Sequence, residues 1–312
     1  MFYNLDNLYD TVANPNTDDS EYTPTGQKRW DWLKYRKKLE NIADVFLAVK
    51  GSVGDFPTLI GVSEVENDKV LEDLVSQKKL SGGHYKYVHY DSNDTRGVDV
   101  ALLFRPSSFK LIKSEPLKLI LRSGREYVGR DILFVLGEIE GELFAIYVCH
   151  LLSRRAGVNA SQGFRRAGTE TIYNHAAALR QEFPYVKVVI MGDMNDTPAD
   201  DSLKVLLKAR RTIKEVGFND YFNPMWQLMD KGYGTSLHNH RWVLYDNIIV
   251  SHSLLIGSGL RIMPLGKGFY AEIFAKSFMM SRGQPKRSYA KNKYLGGYSD
   301  HLPVLIRLKK DG

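Results

Sequence analysis

The chain has 312 residues, 43% hydrophobic and 25% charged, with a formal net charge of +7 and one cysteine, Cys149. Such a composition is that of a folded protein with an extensive core, and it excludes a disordered chain, an internal disulfide framework and a cysteine-rich zinc site. No run approaches the roughly 18 consecutive apolar residues of a membrane-spanning helix, and no repeat or Pro/Gly-rich linker divides the sequence, so one domain over residues 1–312 is expected.

In chain order, Phe2-Tyr3-Asn4-Leu5 reads as a first strand rather than as part of a signal peptide, with Asn4 and Asp6 along it. From Gln27 to Val49 the apolar positions Trp32, Tyr35, Leu39, Ile42, Phe46 and Val49 recur at helical spacing and predict one buried face. Thr58 to Ser63 is an apolar strand that runs into Glu64. Strands are predicted at Tyr85 to Tyr90, Val98 to Phe104, Phe109 to Lys113, Leu117 to Leu121 and Ile132 to Glu138. Leu143 to Cys149 follows and ends on His150. Gln162 to Glu182 and Ser202 to Ala209 read as helices, and between them Val186 to Met191 runs through Gly192 into Asp193-Met194-Asn195. Asp246 then leads Asn247 to Val250, and Asp300-His301 precedes Pro303 to Leu308. Long antiparallel stretches with helices between other strands predict an α+β fold, two sheets packed face to face and covered by helices.

These strand ends gather carboxylates, an amide and two imidazoles, which a rigid sheet can hold at set separations while leaving them open to a ligand. Gly192 lets the chain turn, Asp193 offers a charged oxygen and Asn195 an amide N–H to a phosphoryl oxygen. His301 can take a proton near neutral pH if a partner orients its ring, and Asp246 is the candidate partner. Glu64, Asp6, Asp300 and Asn4 form an oxygen-dominated set suited to a hard ion, Mg²⁺ or Mn²⁺, with Ca²⁺ a further alternative. Cys149, inside an apolar strand, reads as an inert buried thiol. His238 and His240 read as loop residues within reach of a substrate. Segment 261–293 carries eight basic residues, Lys267 among them, against Glu272 alone, which equals the net charge of the whole chain. With its aromatic residues and its run into Asp300-His301, it suits a polyanion.

The ordered motifs Asn4-Leu5-Asp6, Ser63-Glu64-Val65-Glu66-Asn67, Arg96-Gly97-Val98-Asp99, His150, Gly192-Asp193-Met194-Asn195, Asp246-Asn247-Ile248-Ile249 and Ser299-Asp300-His301 resemble the endonuclease/exonuclease/phosphatase superfamily, the DNase I-like fold. The opening Phe2 to Asp10 and the closing Gly296 to Val304 are most similar to its bacterial members, many of them secreted or envelope-associated. The resemblance spans residue 2 to about 308 and implies a four-layer αββα sandwich, two packed mixed sheets flanked by helices, with Mg²⁺-dependent phosphoester hydrolysis. It implies Glu64 as main metal ligand, with Asp6, Asp300 and Asn4 completing the site directly or through water. It further implies His301, oriented by Asp246, as general base or charge stabiliser, and Asp193 and Asn195 as the residues positioning water and phosphoryl oxygen. His150 would bind phosphate or assist the leaving oxygen; Arg96 would contact substrate phosphate and Asp99 would orient His150, with an internal salt bridge the alternative for both.

A nuclease acting on DNA or RNA is the leading expectation. A phosphatase or phosphodiesterase for inositol phosphates or lipid phosphoesters is the alternative, with Phe274 to Met280 as the one candidate membrane-facing segment. A binding module that has lost its chemistry is disfavoured, because every family position holds the expected residue type. The protein is expected to be monomeric, without stable membrane insertion, and to be secreted or envelope-bound with its leader absent from this sequence.

Overall fold

The computed structural model describes residues 1–310, without the side chains of Ala156 and Lys267; the basic-segment expectation for Lys267 therefore lies outside the described residues. A six-stranded sheet contains β1 (Phe2–Leu8), β2 (Leu59–Val65), β3 (Lys86–His89) and β4 (Asp99–Phe104). Its order runs from the short strands Glu272–Ile273 and Val304–Leu305 through β1, β2 and β4 to β3. The second sheet takes β5 (Lys110–Leu117), β6 (Ile132–Ile139), β7 (Glu142–His150), β8 (Lys187–Asp193), β9 (Ala209–Arg210) and β10 (Tyr221–Phe222). A separate hairpin, β11 (Ser236–His238) and β12 (Arg241–Val243), precedes β13 (Asp246–Ser251), and the second sheet is ordered β5-β6-β7-β8-β13-β10-β9. Both sheets are mixed: β1 runs parallel to β2 and β7 parallel to β8, whereas β13 is antiparallel to β8.

Side-chain alternation builds the layers. On β4, Val100, Leu102 and Phe104 join β8 residues Val189 and Met191 in the core between the sheets, while Ala101 and Leu103 face outward. The outward face of the first sheet is covered by helices α1 (Trp32–Val53) and α2 (Asp68–Val75), through Leu39, Ile42, Phe46, Leu71 and Leu74. On the second sheet, Tyr147, Val188 and Ile190 face away from the middle core and pack on Ile172 and Ala176 of α3 (Val158–Glu182). The result is the expected α+β sandwich of four layers. Among the described residues no helix is long and apolar enough to cross a membrane.

Several local expectations are corrected. The first helix starts at Trp32 and not Gln27, because Arg29 adopts φ of 46° and the Asp31 carboxylate caps the helix by accepting from the Lys34 amide at 3.0 Å. Phe109 to Lys113 and Leu117 to Leu121 are not two strands. One strand, β5, runs through Pro116, and as an edge strand it tolerates a residue with no N–H. Ser202 to Ala209 holds only a five-residue turn of π-helix, Ser202–Leu206, and Lys208 at φ of 55° redirects the chain into β9. Phe274 and Met279 are buried in the core, so of the large apolar side chains of Phe274 to Met280 only Phe278 is exposed, less than the continuous apolar face a membrane contact needs.

Candidate active site

Three neighbouring strands of the second sheet end in one row. His150 of β7 pairs with Asp193 of β8, which pairs in turn with Asp246 of β13. Each shares its strand face with residues of the middle core, such as Val148, Met191 and Ile248, so all three side chains enter the layer between the sheets at its open end. Gly192 permits this close packing: a Cβ there would lie 2.1 Å from the Cys149 carbonyl oxygen. Cys149 itself is buried, and burial pushes its thiol far above the usual range, as expected of an inert residue.

The first sheet supplies the opposite wall through two bulges. β2 shifts register between Ser63 and Val65, with Glu64 at φ of 61°, and β1 shifts between Asn4 and Leu8, with Asp6 at φ of 53°. By simple alternation Glu64 would share the outward face of Ile60 and Val62; the bulge turns it into the cleft instead. There Oε2 accepts from the Asn7 amide at 3.0 Å, while Oε1 lies 3.9 Å from His150 Nε2 and 4.0 Å from Arg96 Nη2. The Asn4 side-chain amide donates to Asp193 Oδ2 at 3.1 Å and thereby ties one sheet to the other.

His301 arrives from the segment before Val304–Leu305. Ser299 Oγ accepts from its amide at 3.0 Å, and Ser236 of β11 bridges to it. Its Nδ1 lies 2.7 Å from Asp246 Oδ2, and its Nε2 lies 3.8 Å from Asp193 Oδ2. Burial opposes charge on this ring, but Asp246 and then Asp193 outweigh it and hold the imidazole well above its ordinary pKa. His150 is the opposite case, kept neutral well below the ordinary value by burial and by Arg130 and Arg96. Burial pushes Asp193 up to about 7, with Asp246 adding to the effect and His301 opposing it. Burial would also raise Glu64, but Arg96, His301, Arg130 and Arg155 hold its carboxyl below the usual range. Two imidazoles that approach the same oxygen, Asp193 Oδ2, at 3.7 and 3.8 Å are thus driven toward opposite charge states.

Metal-ligand chemistry is available in the same cleft. Glu64 Oε1 accepts no hydrogen bond among the described residues, and Asp6 is pushed up to about 7 by burial and by the charge of Asp300. A cation there would relieve that crowding, and the donors are all oxygens, which fits a hard divalent ion. Asp193, Asp246 and His301 also lie within ligand spacing, 4.8 Å of one another. In that trio His301 Nδ1 is already engaged by Asp246 Oδ2.

Asp99 is a correction. It accepts from the Ser92 amide at 3.2 Å and faces His89, on the side of β4 away from His150, whose Nδ1 is buried without a partner among the described residues. The basic segment is a second: among the described cations of 261–293, Arg287 alone has a hydrogen bond to a residue of the cleft, Asp300 at 3.4 Å, and beside it the Ser288 amide donates to Asp6 at 3.0 Å. The cations lining the cleft, which is about 370 Å³, are Arg96, Arg130, Arg154 and Arg155. Arg130 binds the His150 carbonyl at 2.9 Å and Asp94 at 2.8 Å, and Arg154 binds Asp200 at 2.7 Å, whereas Arg155 is exposed and faces the site. Of these, sequence reasoning pointed to Arg96 alone and missed Arg130, Arg154 and Arg155, although Arg154 and Arg155 directly follow the strand that delivers His150. It also missed Lys38, whose buried ammonium donates to Ser288 Oγ at 2.6 Å and lies 4.0 Å from Asp6. A lysine on the apolar stripe between Tyr35 and Ile42 was the available signal. His238 lines the cleft at the end of β11, and His240 lies in the exposed hairpin turn outside it.

The sequence profile of the Endonuclease/Exonuclease/phosphatase family matches residues 1–310. No curated protein matches the chain by sequence. Among solved structures, the human Nocturnin catalytic domain with bound sulfate is 17% identical at a TM-score of 0.55, over 87% of each chain. A Bacteroides thetaiotaomicron mannosyl-6-phosphatase is 16% identical at 0.58, over 99% of this chain and 98% of that one. D. rerio TDP2 complexed with a single-strand DNA product is 12% identical at 0.52, over 88% of this chain and 93% of that one. At such identities the likeness is one of fold.

Proposed function

The chain belongs to the endonuclease/exonuclease/phosphatase family of phosphoester hydrolases, and from that premise we propose that its cleft hydrolyses phosphodiester bonds of nucleic acid with Mg²⁺ as the activating ion. The observation that carries the reading is the coupled row Asp246, His301 and Asp193 facing Glu64 across the cleft. Glu64 would hold the ion, with Asp6, Asp300 and Asn4 around it directly or through water. Bound there, a divalent ion supplies charge neutralisation for the attacked phosphate.

The protein's own groups divide the remaining work. Asp193, raised to about 7, accepts a proton from the attacking water near neutral pH, and the Asn195 amide fixes its geometry by donating to Oδ1 at 2.9 Å. His301, held charged by Asp246, stabilises negative charge on the phosphoryl oxygens instead of acting as the base. Neutral His150, with its proton on Nε2, donates to a phosphoryl or leaving oxygen. Asn195 uses one amide hydrogen on the Leu151 carbonyl at 2.9 Å and keeps the other for phosphate. Arg96 and Arg155 neutralise the flanking charge.

A nucleic-acid substrate is favoured by the basic rim. Arg287 and Ser288 touch Asp300 and Asp6, and Arg282, Lys291 and Lys293, near them in the sequence, are exposed cations. A second reading, a small phosphoester, is favoured by the cleft floor, where Arg130 and Arg154 are already engaged by carboxylates. An assay of the protein with Mg²⁺ against plasmid DNA, RNA, inositol polyphosphates, a sugar monophosphate and a lipid phosphodiester separates the two. Nicking or shortening of nucleic acid is expected; inert nucleic acid beside an active small phosphoester would overturn the first reading in favour of the second.

A further inference from the structure

A second cluster of metal-ligating groups lies outside the cleft, where β3 and β4 meet. The His89 side chain is only 2% exposed, and its Nε2 has no hydrogen-bond partner among the described residues. That nitrogen points between two carboxylate oxygens, Asp99 Oδ2 at 3.8 Å and Asp91 Oδ1 at 4.0 Å, and the three donor atoms lie within 4.8 Å of one another. The other ring nitrogen, Nδ1, sits 3.1 Å from Asp68 Oδ1.

We propose that His89, Asp91 and Asp99 form a site for a divalent transition ion of the zinc class. A metal-bound histidine characteristically gives its second N–H to a carboxylate, and Asp68 is placed to receive it. With Nδ1–H so engaged, the Nε2 lone pair faces two anions, whose charge a proton or a metal cation between them offsets, and metal titration tells the two apart. Asp99 is preset for ligation: its Oδ1 is held by the amide and hydroxyl of Ser92, which leaves Oδ2 toward His89. Tetrahedral ligands at bond lengths of 2.0–2.2 Å stand about 3.4 Å apart, so closing gaps of 3.8 and 4.0 Å to His89, and one of at most 4.8 Å between the carboxylates, takes shifts of about half an ångström to an ångström, which the exposed Asp91 side chain can supply. One imidazole and two carboxylates suit Zn²⁺ or Co²⁺ better than Mg²⁺.

The position gives the site a use. His89 ends β3 and Asp99 begins β4, so an ion there closes the base of loop 90–98. The same loop carries Asp94, which binds Arg130 at 2.8 Å, and Arg96, which faces Glu64. The ion would therefore hold Arg96 at the cleft from behind, as a structural and not a catalytic metal.

Chelator-stripped full-length protein titrated with Zn²⁺ against a chromophoric competitor, and with Co²⁺ followed by its visible absorption, tests this. Glu64→Gln, which alters the cleft, should retain a tightly bound equivalent of either ion. His89→Gln should lose it, and Asp91→Asn should bind Zn²⁺ about tenfold or more weakly. Asp91 is exposed, so its substitution leaves the fold intact even if His89→Gln does not. Zn²⁺ should also slow amide exchange across residues 93–98 in the wild type and not in Asp91→Asn. Zn²⁺ stoichiometry and affinity unchanged by Asp91→Asn, or lost wholly with Glu64→Gln, would overturn the proposal.

Discussion

At Asp193 burial and charge pull in opposite directions, and the balance makes a testable pH profile. The carboxyl is pushed up to about 7, so the base form required for water activation gains population as pH rises through neutrality. His301 is raised well above its ordinary value, so its charge, and with it activity, is lost only on the alkaline side. The rate should climb through about pH 7 to a plateau and fall again at higher pH, and these limbs belong to the coupled trio. Asp193→Asn should reduce kcat by about 10²–10⁴-fold and abolish the acid limb; an acid limb that survives in this variant would assign the base elsewhere. Lys38→Met removes one partner of a buried charge cluster and should cost about 3–5 kcal/mol by urea denaturation, with a value near zero showing that Asp6 is not balanced by it. Residues that end apolar strands, such as Glu64, His150 and Asp193, were legible in the sequence because the apolar runs before them locate them, although alternation alone would turn Glu64 outward. Partners were less so: Asp246 was read beside His301 and lies 2.7 Å from it, but Asp99 was assigned to His150 and instead faces His89 on its own sheet, and the Arg130 contact with Asp94 bridges separate loops.

Among elements, the two bulges matter most, since β1 and β2 run parallel and break register at neighbouring positions to turn Asp6 and Glu64 into one cleft. Bulges leave little trace in a sequence, because a residue such as Glu64 in the left-handed region looks like any other polar position on a strand. The middle strands were readable from their continuous apolar runs, which two-sided burial demands. The two strands expected at Phe109 to Lys113 and Leu117 to Leu121 are one strand through Pro116, and whether a strand can carry a proline depends on its lying at an edge, which is a tertiary fact. Gly192→Ala tests how tightly β7 and β8 hold the row of site residues. The added Cβ meets backbone oxygen, so a loss of about 1–3 kcal/mol in stability is expected, with activity falling further than stability predicts. A variant with wild-type melting and rate would show that the strand ends have room to spare.

Over the whole molecule, a four-layer sandwich fixes the site by packing two independent cores against a shared middle one, so chemistry at the open end inherits the rigidity of both sheets. The net charge of +7 adds attraction for polyanions. If nucleic acid is the substrate, log Kd should change linearly with log salt at about 0.9 per phosphate contacted. Arg155→Ala should flatten that slope by about one contact, and an unchanged slope would remove Arg155 from the interface. The fold and the order of site motifs could be read from sequence, whereas the route of a long substrate could not, because the basic segment meets the cleft only at its Arg287 end. The most direct measurement is plasmid cleavage by equally pure wild type, Glu64→Gln and His301→Gln, with Mg²⁺ and with excess chelator. Cleavage by wild type in Mg²⁺ alone, reduced at least about a hundredfold in both variants, is the predicted result. Undiminished cleavage by His301→Gln, or full activity of the wild type in chelator, would contradict it.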